Sequence, residues 1–389
     1  MIRQIKYIAG IMAVGALWAS CSENDAPSPY DNPTKYISFG VPAINYEATV
    51  GDFAEGPKSR AVLTESVDKF FVWGFCVPRG IGNEINKNSA SKPWVEKSCF
   101  FTAGADLANL NKREVTLNGI STTYNGGQLT EWNEDDEALS SFIAVSGDVD
   151  CSMAVANNST DSKLRHGPKL TVTLKTDGSS LTTPLDYNAQ SDALVAATFD
   201  RESRDGLVNM SFFHIMTGIR FKFNNFTEEK LVINEVTYAG KFFKEAVFDL
   251  TDDTPVMTVT DKTYSGKFTL LGEPQTIDGE SSDYVQTSAY MGGDESPVTL
   301  LLLPNPVGTT ADDNEYTLGT DKEITIKYTV GNGPERTFQL QKLLLNYKPL
   351  PNTLHTANFN FVGDKFVVMF QADDKRNWEN GSDNKVIIK

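Results

Sequence analysis

Phe70-Phe71-Val72-Trp73-Gly74-Phe75-Cys76-Val77 is apolar at almost every position, so neither face of this run is written for water. An apolar run of eight residues is strand length, and apolarity on both sides suits a central strand of a β-sandwich. Outward from it the same grammar continues, with short apolar or alternating runs set between clusters of Gly, Pro, Asn and Asp. Residues 36–41 precede it, and residues 115–117, 139–145, 170–174 and 193–199 follow. The polar stretch 200–205 reads as a hinge, which places a boundary between residues 204 and 205. Beyond it, residues 208–223, 231–238, 246–250, 264–271, 298–303, 324–330, 338–345 and 356–361 form a ladder with turn signals about every ten residues. Helix signals are sparse. The fold expected is all-β, built from two tandem antiparallel β-sandwich domains, a number that suits a chain of this length.

The beginning of the chain is of another kind. Arg3 and Lys6 precede an apolar run over residues 7–18, and Ala19-Ser20-Cys21 follows. A charged start, a short apolar core and small residues before a cut fit an export leader over residues 1–20, too short to span a bilayer. The small pair before Cys21, with Leu17 close by, resembles the lipobox of bacterial lipoproteins, with Trp18 where that pattern prefers a smaller aliphatic residue. The resemblance implies lipid on Cys21 and attachment to the outer membrane; ordinary cleavage nearby, with Cys21 incidental, is the alternative. Ser22-Glu23-Asn24-Asp25, then Pro27, Pro29 and Pro33, read as a tether. The acidic residues after Cys21 resemble the surface-export signal of Bacteroidales lipoproteins.

Composition narrows the partners. The leader carries Arg3 and Lys6 and no acid, so the rest of the chain holds 33 basic against 51 acidic residues, a net charge of −18. Such a surface is repelled by phosphate backbones, which disfavours nucleic acid as a partner. With Cys21 lipidated, Cys76, Cys99 and Cys151 remain, an odd number allowing at most one internal disulfide; Cys76 with Cys99 is the first choice, against three buried thiols. No C-x-x-C spacing, H-E-x-x-H, G-x-S-x-G, Walker loop or G-x-G-x-x-G fingerprint occurs. No enzyme chemistry, cofactor or metal is therefore expected. The acidic stretches 133–137 and 312–315 lack the glycine and glutamate pattern of a helical calcium loop and read as solvated loops. His214 reads as a buried, hydrogen-bonded strand histidine. Trp73, Trp94, Trp132 and Trp378 either stack on sugars or fill the core.

Asp192-Ala193-Leu194-Val195-Ala196, followed by residues 208–219 with Phe212 and His214, resembles the signature of the Bacteroidales fimbrillin family, with Ala193 in place of the usual leucine. Leu300-Leu301-Leu302-Leu303-Pro304-Asn305, Tyr347-Lys348-Pro349, Thr356-Ala357-Asn358-Phe359 and the late Trp378 resemble further family motifs in the same order. The pieces span most of the chain. The resemblance implies a subunit of a type V pilus (fimbrium) serving cell adhesion: a lipoprotein precursor with two transthyretin-like domains, here 61–204 and 205–389. It also implies an arginine-specific protease that removes the first segment, and a strand from the next subunit that fills the groove.

Parts matching that scheme can be named. Residues 21–60 hold the tether and an apolar strand at 36–41, and Ser59-Arg60-Ala61-Val62-Leu63 offers a basic site beside glycine and proline, so cleavage is expected between Arg60 and Ala61. The tail Lys385-Val386-Ile387-Ile388-Lys389 supplies a donor strand in Val386, Ile387 and Ile388, or else folds back onto its own domain. The partners expected are other pilus subunits, identical or accessory, the outer membrane through Cys21, the protease, and a surface receptor whose identity the residues do not specify. A non-polymerising lipoprotein that binds glycans or host ligands, or an anchor or tip subunit with Arg60 intact, is the competing reading.

Overall fold

A computed structural model of the chain describes residues 36–44, 67–77, 111–118, 121–124, 130–132, 139–155, 168–176, 184–186, 192–201, 207–249, 256–271, 273–279, 287–292, 297–303, 316–317, 323–340, 344–345, 351, 353–372 and 386–388. The described residues are strands, turns and extended links, with no helix. The Phe70 run lies in a strand, Lys69–Val77, flanked on both sides within a seven-stranded sheet. The order there is Ala43–Ile44, Ser211–His214, Leu194–Arg201, Leu139–Ser146, Lys69–Val77, Arg113–Asn118, Ser121–Tyr124.

Both faces of this sheet are covered, which is why its central strand carries so few polar residues. Trp73, Phe75, Ile143 and Val145 face a four-stranded sheet made of Val149–Val155, Pro168–Leu174, Glu245–Asp249 and Val256–Val259, and pack there with Met153, Leu170, Val172, Ala246 and Phe248. Phe70, Val72, Phe142 and Ala144, one residue out of phase, belong to a separate cluster with Ile37, Phe39, Val208, Met210 and Phe212. The alternation of side chains along a strand thus feeds two cores.

A second pair of sheets encloses a third core. One is ordered Thr287–Tyr290, Thr217–Asn225, Thr353–Val362, Lys365–Ala372, Val386–Ile388, with Thr299–Leu302 also on Thr217–Asn225. The other is ordered Arg336–Leu340, Glu323–Val330, Leu231–Phe243, Thr263–Leu271, Pro184–Asp186, with Gln275–Ile277 also on Leu231–Phe243. Phe221, Phe223, Phe359, Phe366, Tyr238, Phe242 and Phe268 are among the side chains between them.

Three sequence expectations change in detail. The ladders are not all antiparallel: Thr217–Asn225 runs parallel to Thr353–Val362 over nine residue pairs, and Ser38–Phe39, Ala43–Ile44 and Pro184–Asp186 also pair in parallel. Parallel neighbours need a long crossover; more than a hundred residues intervene in three of these pairs and residues 187–262 in the fourth, so no local turn signal announces them. The run 208–223 is three strands, interrupted first at Asn209 and Met210 and then broken at Ile215 and Met216, where the chain leaves the seven-stranded sheet for the other sandwich. Both break residues are buried, so hydropathy runs on through the break. Finally, strands from both sides of residue 205 share sheets: Ser211–His214 pairs with Leu194–Arg201, and Glu245–Asp249 with Pro168–Leu174.

Two polar groups in the second sandwich carry predictions. Asn225 is fully buried, and its Nδ2 donates to the carbonyls of Glu229 (2.7 Å), Asp278 (3.2 Å) and Ile277 (3.4 Å), while its Oδ1 accepts from Thr227 N (3.1 Å) and Oγ1 (2.8 Å). Asn225→Ala removes the amide that joins these groups and is expected to lower the unfolding free energy by about 2 kcal/mol, read from the urea midpoint. Tyr238 is the reverse case. It is 1 % exposed, burial pushes its phenol pKa up, and its hydroxyl has no hydrogen-bond partner among the described residues. Tyr238→Phe keeps the ring contact with Phe242, centroids 5.4 Å apart, and is expected to raise stability by about 1 kcal/mol in the same measurement.

Candidate functional site

The outer face of the seven-stranded sheet is closed by residues 36–41, and Ala43–Ile44 then joins that sheet as its edge strand. Ser38–Phe39 lies parallel to Leu207–Val208, pairing Ser38 with Leu207 and Phe39 with Val208. Gly40 N donates to Val208 O (3.0 Å) and Ala43 N to Met210 O (3.0 Å), after which Ala43–Ile44 pairs in parallel with Ser211 and Phe212. Ile37 and Phe39, two apart on one face of the strand, are fully buried, while Val41, next on that face but beyond Phe39 where the strand ends, is 61 % exposed.

The Phe39 ring sits in an aromatic pocket. Phe70 and Phe142 meet it edge-on at centroid distances of 5.4 and 5.6 Å, and Tyr124 at 6.4 Å. Burying Ile37 and Phe39 contributes about 5 kcal/mol of transfer free energy before ordering costs. The opposite edge of the segment is held by side chains. Trp132 Nε1 donates to Tyr36 O (3.1 Å), Tyr124 Oη to Ile37 O (2.8 Å), and Thr122 Oγ1 accepts from Phe39 N (2.9 Å) and donates to Phe39 O (3.2 Å). Burial pushes the Tyr124 phenol pKa up, with Arg113 pulling weakly the other way, so the hydroxyl remains a donor throughout the physiological range. The site holds an extended segment of its own chain, with apolar surroundings for Ile37 and Phe39 and polar side chains for the main chain.

Phe212 and His214, singled out by the sequence, lie in the neighbouring strand. Phe212 is fully buried with its ring 5.6 Å from that of Phe70. His214 is fully buried too, and its Nδ1 meets the Asp192 carboxylate at the point where the chain turns into the second sandwich. Ile215 N donates to Ala193 O (3.0 Å) beside it. These residues pin the seam between the sandwiches. The tail strand Val386–Ile388 lies antiparallel on Lys365–Ala372, pairing Val368 with Ile388 and Phe370 with Val386, as the edge of its sheet in this single chain.

Other singled-out residues separate clearly. Trp73 and Trp132 are buried, at 0 and 6 % exposure, so neither offers a face to a sugar. Cys151 is a free thiol of intermediate exposure; burial pushes its pKa up against the pull of Lys112, whose Nζ lies 3.3 Å from Sγ. Cys76 sits in the central strand. Cys21, Arg60, Ala61, Trp94, Cys99, Trp378 and the acidic stretches 133–137 and 312–315 lie outside the described residues. Among the described residues no group of three or more His, Cys, Asp and Glu gathers to hold a metal ion. Sequence reasoning missed Thr122 and Tyr124 as functional residues. Ser121-Thr122-Thr123-Tyr124 alternates like any edge strand, and only the register on Arg113–Asn118 turns Thr122 and Tyr124 toward the segment.

No family model matches the chain, and no curated protein matches it. Solved structures do. One from Bacteroides uniformis, whose description includes cell adhesion, is 13 % identical, with 78 % of this chain and 91 % of that one covered at a TM-score of 0.37. Another from Parabacteroides distasonis, also described by cell adhesion, is 11 % identical over 92 % of this chain and 97 % of that one, at 0.38. A fimbrial assembly protein from the same organism is 10 % identical over 83 % and 91 %, at 0.28. Identity and TM-score are both low, so the residues and the geometry of this chain carry the functional reading.

Proposed function

We propose that this chain is a fimbrillin-like structural subunit of a cell-surface pilus serving adhesion. In this reading it reaches the outer membrane as a lipoprotein held through Cys21 and is cut by an arginine-specific protease between Arg60 and Ala61. It then polymerises when a strand from another subunit replaces residues 36–44. The mature body consists of two transthyretin-like sandwiches, 61–204 and 205–389 in chain order, with strands exchanged across the join. Val386, Ile387 and Ile388 supply the donated strand, and the body ends without lipid.

The observation that carries this reading is the lodging of residues 36–44. Ile37 and Phe39 complete a core whose other members all come from residue 67 onward, and the covalent link to that body runs through residues 45–66, which contain Arg60. Cutting there converts a strand of the fold into a replaceable part. A head-to-tail replacement does not close on itself, so it propagates a filament. The tail already has strand geometry and lies at a sheet edge, where leaving disturbs one ladder only.

N-terminal sequencing of protein sheared from the cell surface tests the proposal. The expected first residue is Ala61; recovery of only full-length lipidated chain overturns the stalk assignment. A second reading, an anchor subunit with Arg60 intact, draws on the tail lying against its own sheet. In that case the same sequencing returns a blocked N-terminus at Cys21.

A further inference from the structure

The slot filled by residues 36–44 has two unlike walls. On one side the segment meets main chain, in two short parallel ladders of two residue pairs each, Ser38 and Phe39 on Leu207–Val208 and Ala43 and Ile44 on Ser211 and Phe212. On the other, apart from a bridge between Tyr36 and Glu131 and the bond from Ile37 N to Thr130 O, it meets side chains. Thr122, Tyr124 and Trp132, each at least nine-tenths buried, direct four hydrogen bonds at the carbonyls of residues 36, 37 and 39 and the amide of Phe39. None of these bonds touches a side chain of the segment.

Ladders of two pairs specify register weakly, because main chain pairs with main chain wherever it is laid. The side-chain wall supplies what the ladders lack. Thr122 takes both the N–H and the C=O of one residue, and an extended strand turns that pair toward a given edge only at every second residue. Slips by one residue therefore remove the Thr122 bonds and turn Ile37 and Phe39 away from the core they fill, while slips by two place Ile37 or Val41 in the aromatic pocket of Phe39, which either side chain underfills. The two devices between them leave one register.

We propose that Thr122, Tyr124 and Trp132 form a main-chain-reading clamp that sets the register of any extended strand with large apolar residues two positions apart entering this slot. Before processing the occupant is the chain's own segment; afterwards it is a strand from a second subunit. The second half rests on the reading under Proposed function, whereas the clamp rests on the bonds above. The clamp also works against an open slot, since three buried polar groups lose their partners when the strand departs.

The test uses the full chain carrying Phe39→Ala, which weakens the resident segment and leaves the clamp intact, or Ile37→Ala should the first variant fail to fold. A fluorescent synthetic peptide of residues 35–45 with the native sequence is titrated in, and binding is followed by anisotropy. The native peptide is expected to bind. An amide-to-ester replacement at its Phe39, which deletes the N–H that Thr122 accepts, is expected to weaken binding about fivefold. Thr122→Val should weaken the native peptide similarly, and the two changes together should cost less than their product, because they remove one shared interaction. Effects that multiply, or an ester that binds as well as the amide, overturn the clamp. A native peptide that does not bind overturns strand replacement at this slot. The N-terminus of the surface protein judges processing separately, so the two failures are told apart.

Discussion

Phe39→Ala is expected to lower the stability of the chain by about 4 kcal/mol. The ring is fully buried and touched edge-on by Phe70, Phe142 and Tyr124, so its removal opens a cavity among side chains that are themselves held by other neighbours. Because the segment joins the body only through residues 45–66, the loss should take the form of local release before global unfolding. Hydrogen exchange reads this directly. The amides of Phe39, Gly40 and Ala43, which donate to Thr122 Oγ1, Val208 O and Met210 O, should exchange faster, while those of the strand Leu139–Ser146 keep their protection. Val41→Ala is the control. At 61 % exposure its side chain buries little, and a change within about 0.5 kcal/mol is expected. Equal losses for the two variants would mean that the segment is not held by its apolar residues.

The second large effect is one of pH. His355 lies in Thr353–Val362 with 2 % of its surface exposed, and burial holds its pKa down, from 6.5 to about 4. Between those values the unfolded chain binds a proton that the folded chain refuses, so the stabilisation present above pH 6.5 is lost as pH falls toward 4. The shift corresponds to about 3 kcal/mol. Urea midpoints measured at intervals from pH 7 to 4 should show this decline, and His355→Leu should flatten that part of the curve whatever it does to the baseline. An unchanged slope in the variant would assign the acid sensitivity to the carboxylates instead. The charged form would have to sit between Ile219 and Ala372, the residues that pair with His355 on either side, so acid is expected to loosen the centre of this sheet first.

Much of the fold could be read from local pattern, and where that failed the reason is physical. The Phe70 run was legible because covering both faces of a strand leaves no position for polar residues, and the strand indeed lies between two layers. The break at Ile215 and Met216 was not, since a chain passing from one core to another stays buried throughout and hydropathy has no dip to report. The parallel pairing of Thr217–Asn225 with Thr353–Val362 was beyond reach for a related reason: register between such distant segments is set by everything packed around them. At the site the order reverses. The apolar spacing of Ile37 and Phe39 was visible in residues 36–41. Thr122 and Tyr124 were invisible, because a hydroxyl that reads another segment's backbone looks the same in sequence as one that faces water. Trp132 was noticed for its ring and turned out to matter for its N–H.

The covalent path between the two sandwiches has a mechanical consequence. The chain crosses from one to the other after Leu174, returns before Leu194, crosses again between His214 and Thr217, returns between Phe243 and Glu245, and crosses once more between Val259 and Thr263. Tension applied along the molecule is therefore shared among several covalent links working side by side, and no single linker must stretch before the others engage. Such a joint resists bending and transmits force with little extension. Under load, the two-pair ladders at Ser38–Phe39, Ala43–Ile44 and Tyr316–Thr317 have the fewest main-chain bonds to set against it.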